Sequence, residues 1–163
     1  MNSRDGLGSR GEALFIVLMT KFHPKGGPIF AAQFLGEKSP LVDFLVVLLD
    51  AGAVKPFFFV QVKTTRAGYT IKERRLRVKV KQEHVAGLAL YPAPTYIVGI
   101  DDKTEEGFVI SANGVNLTSL SSITTAYPLD EANRQMLWDE VRTYWTAPAS
   151  PKLNSAFHDT GWK

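Results

Sequence analysis

Two apolar runs, Phe44 to Leu49 and Phe57 to Val60, stand only seven residues apart, with Asp50-Ala51-Gly52 as a turn signal between them. Continuous apolar runs of this length mark strands covered on both faces rather than one. A chain carrying two of them in succession must build a sheet with packing above and below it. Its 163 residues suffice for one such domain with an ordinary core. The second run does not simply end. It passes into Gln61-Val62-Lys63. Polar groups entering so apolar a pair of strands need a physical reason, because burying them unpaired is costly.

The remaining elements follow from periodicity. Leu14, Phe15, Leu18 and Phe22 predict a helix from Gly8 to Phe22, with Ser9 as N-cap, Glu12 as capping-box partner and residues 1–7 as a loose N-terminus. His23 to Pro28, with two prolines and two glycines, ends it. Strands are predicted at Ile29 to Leu35, Phe44 to Leu49, Phe57 to Lys63, Tyr96 to Ile100 and Phe108 to Ser111. Another is predicted where Leu76, Val78 and Val80 alternate with Arg75, Arg77, Lys79 and Lys81. Further helices are predicted from Gln82 to Tyr91 and from Leu129 to Trp145. The order implies an α+β protein with a mixed central sheet and flanking helices. The domain is predicted over residues 1–147, with a loose tail over 148–163. Trp138, Tyr144 and Trp145 read as packing residues.

Several chemistries are excluded early. The chain has no cysteine, so disulfides, thiolate metal sites and thiol catalysis are absent. No stretch reaches the ~18 apolar residues of a membrane span, and Met1 to Arg10 has no apolar signal core. The expectation is a soluble cytoplasmic protein. Gly6-x-Gly8-x-x-Gly11 matches a dinucleotide fingerprint, but no strand precedes it. His23, His84 and His158 lack metal-ligand spacing. Asn116-Leu117-Thr118 matches a glycosylation acceptor in a chain without a secretory signal.

Charge is unevenly spread. Residues 63–81 hold eight Lys or Arg and one acid, Glu73. Of the chain's 19 basic and 16 acidic residues, that leaves 11 against 15 elsewhere. A basic segment on an acidic body favours a polyanionic partner. Arg66, Tyr69, Lys72, Arg74, Arg75, Arg77, Lys79 and Lys81 are the candidate nucleic-acid contacts, with Tyr69 placed to stack on a base. The bland alternative is a solvated charged strand.

A hairpin centred between Gly52 and Ala53 sets Asp43 opposite about Val62. A register shift of one residue would bring Asp43 onto the face shared by Gln61 and Lys63. That gathers a carboxylate, an amide oxygen and an ammonium. Asp43, Gln61 and the Val62 backbone carbonyl would hold Mg²⁺ or Mn²⁺, with Glu12 as a fourth contributor. Lys63 would orient an attacking water or stabilise charge on a phosphate.

This pattern resembles the PD-(D/E)xK nuclease superfamily, in its Mrr-like and resolvase-like branch. The resemblance rests on Gly11-Glu12, Ser39-Pro40-Leu41-Val42-Asp43 and Phe59-Val60-Gln61-Val62-Lys63-Thr64-Thr65, and covers roughly residues 8–111. It implies a restriction-endonuclease-like α-β-β-β-α-β core, divalent-metal hydrolysis of nucleic acid, and a role in restriction or phage defence. It matches Glu12, Asp43, Gln61 and Lys63 to the family's site. DNA is the expected substrate and a homodimer a possible assembly. Two departures stand out. The Pro-Asp pair is opened to Pro40-Leu41-Val42-Asp43, and Gln61 stands for the usual Glu or Asp, one negative charge fewer. The alternatives are a catalytically silent nucleic-acid-binding or accessory module, and a subunit whose basic face meets an acidic protein.

Overall fold

The structure, a computed structural model, describes residues 3–114, 118–147 and 152–162. Helix α1 (Ser3–Met19) is followed by strands β1 (Phe30–Phe34), β2 (Phe44–Leu48) and β3 (Phe57–Thr65). Helix α2 (Gln82–Ala89), strands β4 (Thr95–Asp101) and β5 (Glu106–Ser111), and helix α3 (Glu131–Thr146) complete the order. The two apolar runs pair as antiparallel β2 and β3. β1 adds antiparallel to β2, β4 runs parallel to β3, and β5 returns antiparallel to β4. The result is one mixed five-stranded sheet in the order β1-β2-β3-β4-β5. The protein is α+β, and its first six elements follow the order α-β-β-β-α-β.

Both faces of the sheet are covered, as the apolar runs require. On one face Phe58 and Val60 of β3 and Phe44 and Val46 of β2 meet Phe15 and Met19 of α1 and Leu137 and Val141 of α3. On the other, Phe59, Ile97 and Ile110 meet Val85 and Leu88 of α2 and the segment carrying Leu76, Val78 and Val80. Each large apolar side chain so buried contributes about 1.5–3 kcal/mol. Trp145 stacks on Phe57 with ring centroids 4.7 Å apart and donates its indole N–H to the Phe57 carbonyl at 2.8 Å. Trp138 donates to the Leu49 carbonyl at 3.1 Å, so both indoles pack as expected.

Four expectations are corrected. First, α1 starts at Ser3 and stops at Met19, so residues 3–7 are helical and Phe22 lies outside, exposed. Ser9 and Glu12 are interior to the helix and form no capping box. Gly8 has open space around it, whereas at Gly11 α1 passes close to β3. A Cβ on Gly11 would fall 1.6 Å from Thr64 Oγ1, so only glycine permits the approach.

Second, the stretch from Arg75 to Lys81 is not a strand of the sheet. Leu76 and Val80 make single antiparallel bridges to Ile123 and Leu120. The period-two alternation reported one-sided burial correctly, since Leu76, Val78 and Val80 are buried. Alternation cannot distinguish a ladder from isolated bridges. Third, the β2–β3 register pairs Phe44 with Val60, which continued one step sets Asp43 against Gln61 rather than Val62.

Fourth, residues 152–162 are not a loose tail. Phe157 is fully buried and its carbonyl accepts the Ser111 N–H at 2.9 Å on the outer edge of β5. Ser155 Oγ donates to Glu140 of α3 at 2.9 Å. Asp159 forms a buried ion pair with Arg75 at 2.7 Å. Residues 148–151, and Asn116 and Leu117 of the acceptor motif, lie outside the described residues.

Candidate active site and nucleic-acid interface

The ladder between β2 and β3 ends at Phe44 and Val60, while β3 runs on to Thr65 beside β4. The strands part here, and Asp43 fills the gap. Its backbone N–H donates to the Val60 carbonyl at 2.8 Å, and its Oδ2 accepts the Val62 N–H at 2.7 Å. A side chain thus takes a donor that the next residue of a longer β2 would have taken. In an extended strand a residue's N–H and C=O face the same neighbour, so the Val62 carbonyl also faces the gap.

Gln61 is buried. Its Nε2 donates to the Leu41 carbonyl at 2.9 Å, and its Oε1 has no hydrogen-bond partner. An unpaired buried acceptor costs about 1–3 kcal/mol, so its retention calls for an explanation outside the fold. Gln61 and Lys63 share the face on which α2 packs, whereas α1 brings Glu12 to the opposite face through the Gly11–Thr64 contact. The carboxylate in the gap lies between them.

The charges communicate. Burial raises the Asp43 carboxyl above its ordinary range, and the Val62 N–H and the Lys63 ammonium pull it partly back. Glu12 is raised as well, first by burial and then by repulsion from Asp43. Asp43 is therefore within electrostatic reach of both Glu12 and Lys63. The donors are all oxygen: two carboxylates, an orphaned amide oxygen and the Val62 carbonyl. That set suits a hard divalent cation such as Mg²⁺ or Mn²⁺. Among the described residues, no group of three or more His, Cys, Asp or Glu is placed to hold a metal, so any cation here depends on the neutral donors.

The raised carboxyls give a stability signature in metal-free protein. Both favour the neutral form in the fold. Their contribution is thus fully present below the ordinary carboxylate range and lost as pH rises through the raised values. Glu12→Gln should melt higher than wild type at pH 7.5 in chelator, with the difference closing toward pH 4. A lower melting temperature at pH 7.5 would show that the Glu12 charge stabilises the fold.

Next to Lys63 opens a cleft of about 500 Å³, lined by Lys63, Thr64, Thr65, Ala67, Thr70, Arg77, Val78, Lys79, Ser121 and Ser122. It holds three cations and no carboxylate. None of the three joins the ion pairs of the described residues, which involve Arg10, Arg66 and Arg75. Sequence reasoning found the cations but missed the hydroxyls. Ser121 and Ser122 come from a polar segment anchored by Leu120 and Ile123, and only the fold brings it into the same cleft as Thr70.

The predicted nucleic-acid contacts divide. Lys72, Arg77, Lys79 and Lys81 are exposed. Arg75 is corrected from the row. Its guanidinium makes two hydrogen bonds to Asp159, at 2.8 and 2.7 Å, and two more to Ser122. Arg66 is exposed but lies 3.2 Å from Asp102. Tyr69 is no free stacking platform, because Arg74 lies over its ring at 4.9 Å and Phe108 meets it edge-on. No helix of the described residues is long and apolar enough to cross a membrane. No protein-family model, curated protein or solved structure matches the chain.

Proposed function

We propose that this chain is a divalent-metal-dependent nuclease of the PD-(D/E)xK type that hydrolyses phosphodiester bonds in DNA. The observation that carries this reading is the end of the β2–β3 ladder. There the Asp43 carboxylate, in electrostatic reach of Lys63 and Glu12, binds the strand that carries the orphaned Gln61 oxygen, and Lys63 lines a basic cleft. Asp43, Glu12, Gln61 and the Val62 carbonyl would hold the cation. When bound, it would supply positive charge to the attacked phosphate and acidify water. Lys63 would orient the attacking water or stabilise charge building on the phosphate, and the cations of the cleft would hold neighbouring phosphates. The resemblance in the sequence suggests a cytoplasmic role in restriction or phage defence. A homodimer would supply two sites for two strands.

The test is incubation of supercoiled plasmid with protein in Mn²⁺, in Mg²⁺ and in excess chelator. Cleavage is expected with either ion and none in chelator. Mn²⁺ should serve better, because the less geometrically demanding ion tolerates a neutral Gln donor. Undiminished cleavage in chelator ends the metal reading. A second reading, a silent nucleic-acid-binding module, draws on the neutral Gln61 and the lack, among the described residues, of a third acidic or histidine ligand. It predicts salt-dependent DNA binding with no cleavage under any ion.

A further inference from the structure

Ile71 is completely exposed, unlike any other large apolar residue described. Its exposure is built into the chain. It opens the loop 71–74, which closes between Thr70 and Arg75 through an N–H to carbonyl bond of 2.8 Å. Below it, Tyr69 bridges Leu76, and the Arg77 N–H donates to the Gly68 carbonyl at 3.0 Å. Thr70 Oγ1 braces the tip, accepting the Arg75 N–H at 2.9 Å and donating to the Lys72 carbonyl at 2.7 Å. The turn is completed by two successive left-handed residues, neither a glycine: Glu73 at φ 68° and Arg74 at φ 45°. Such residues are strained and persist where the surroundings enforce them. Arg74 stacked on Tyr69 and Arg75 paired with Asp159 do so here.

A braced turn thus holds an isoleucine in water between Lys72, Arg74 and the cationic cleft. Thr70, which lines the cleft, directly precedes Ile71. The matching partner alternates negative charge with an apolar face over a few ångströms. Stacked bases with their phosphates do this. Acidic protein surfaces carry charge and apolar atoms together, but without the fixed repeat that sets each phosphate beside a base. An anionic lipid surface offers both, but it is flat, and the cations and hydroxyls here are recessed in a cleft. We propose that the hairpin 69–76 is a nucleic-acid wedge, which inserts Ile71 into the base stack of a strand whose phosphates lie in the cleft. This rests on the nucleic-acid part of the proposed function and is independent of catalysis.

The experiment uses the full chain in chelator with an oligonucleotide carrying 2-aminopurine, whose fluorescence rises when it is unstacked. Binding by wild type should raise the signal. Ile71→Ser should bind about ten-fold or more weakly, as expected for one isoleucine left in water, with an unchanged salt slope and no rise at saturation. Ile71→Leu should restore the rise. Arg77→Ala with Lys79→Ala should flatten the slope of log K against log salt by up to about two units. An equal rise with Ile71→Ser overturns the wedge. So does binding to phosphatidylserine vesicles, lost with Ile71→Ser, without any binding to the oligonucleotide. Because this experiment runs in chelator, it is separate from metal chemistry: absence of cleavage in Mn²⁺ and in Mg²⁺ would sink the nuclease reading while leaving this result standing.

Discussion

Asp43→Asn is expected to abolish Mn²⁺-dependent cleavage while leaving the protein at least as stable as wild type. The side-chain oxygen of asparagine still accepts the Val62 N–H, so the end of the β2–β3 ladder keeps its hydrogen bond. What is lost is the negative charge. A cation site stabilises a phosphoryl transition state by several kcal/mol, so the rate should fall about a thousand-fold or more. The Asp43 carboxyl is raised mainly by burial, so removing its charge relieves the metal-free fold at neutral pH. The two readouts should therefore move in opposite directions: activity lost, melting temperature in chelator equal or higher. Mn²⁺ should raise the melting temperature of wild type and not of the variant. Cleavage at the wild-type rate would remove Asp43 from the mechanism. A large drop in melting temperature would assign it a structural role.

The largest stability effect is expected at Asp159. Its carboxylate is fully buried and holds Arg75, whose side chain is only 13% exposed, and it also accepts the backbone N–H groups of Thr124 and Gly161. Asp159→Ala leaves a buried guanidinium unpaired, which costs about 3–5 kcal/mol. For a chain of this size that lowers the melting temperature by roughly 6–20 °C. Replacing the pair together, Arg75→Met with Asp159→Leu, should recover much of the loss, because the desolvation penalty disappears with both charges. Calorimetry of the single and double variants checks this. If Asp159→Ala melts with wild type, the pair is solvated and Arg75 returns to the row of nucleic-acid contacts.

Much of the fold was legible because its strongest signals are local. The runs at Phe44 and Phe57 announce buried strands whatever surrounds them, and Leu137 and Val141 mark α3 by spacing alone. What failed had competing causes that lie far apart in sequence. The helix was expected to begin at Gly8 and begins at Ser3, and the closeness of Gly11 to Thr64 is a contact across 53 positions. Arg75 belongs by alternation with Arg77 and Lys79, but its partner stands 84 residues away. The residues of the candidate site were legible as neighbours, since Asp43, Gln61 and Lys63 flank the ends of two recognisable strands. The sequence did not reveal that Gln61 turns its amide nitrogen to Leu41, nor that Ser121 and Ser122 complete the cleft. Hydroxyls in an irregular segment carry no period from which to place them.

The docking of residues 155–159 also sets an order of events during synthesis. Glu12, Asp43 and Lys63 leave the ribosome early, but the hairpin beside them is anchored through Arg75 to Asp159, and the edge of β5 is closed by Phe157. Phe157 follows Asp43 by 114 positions. At 5–20 residues per second that separation lasts on the order of ten seconds. A nascent chain thus carries its ionisable groups before it has a fixed surface on which to present them.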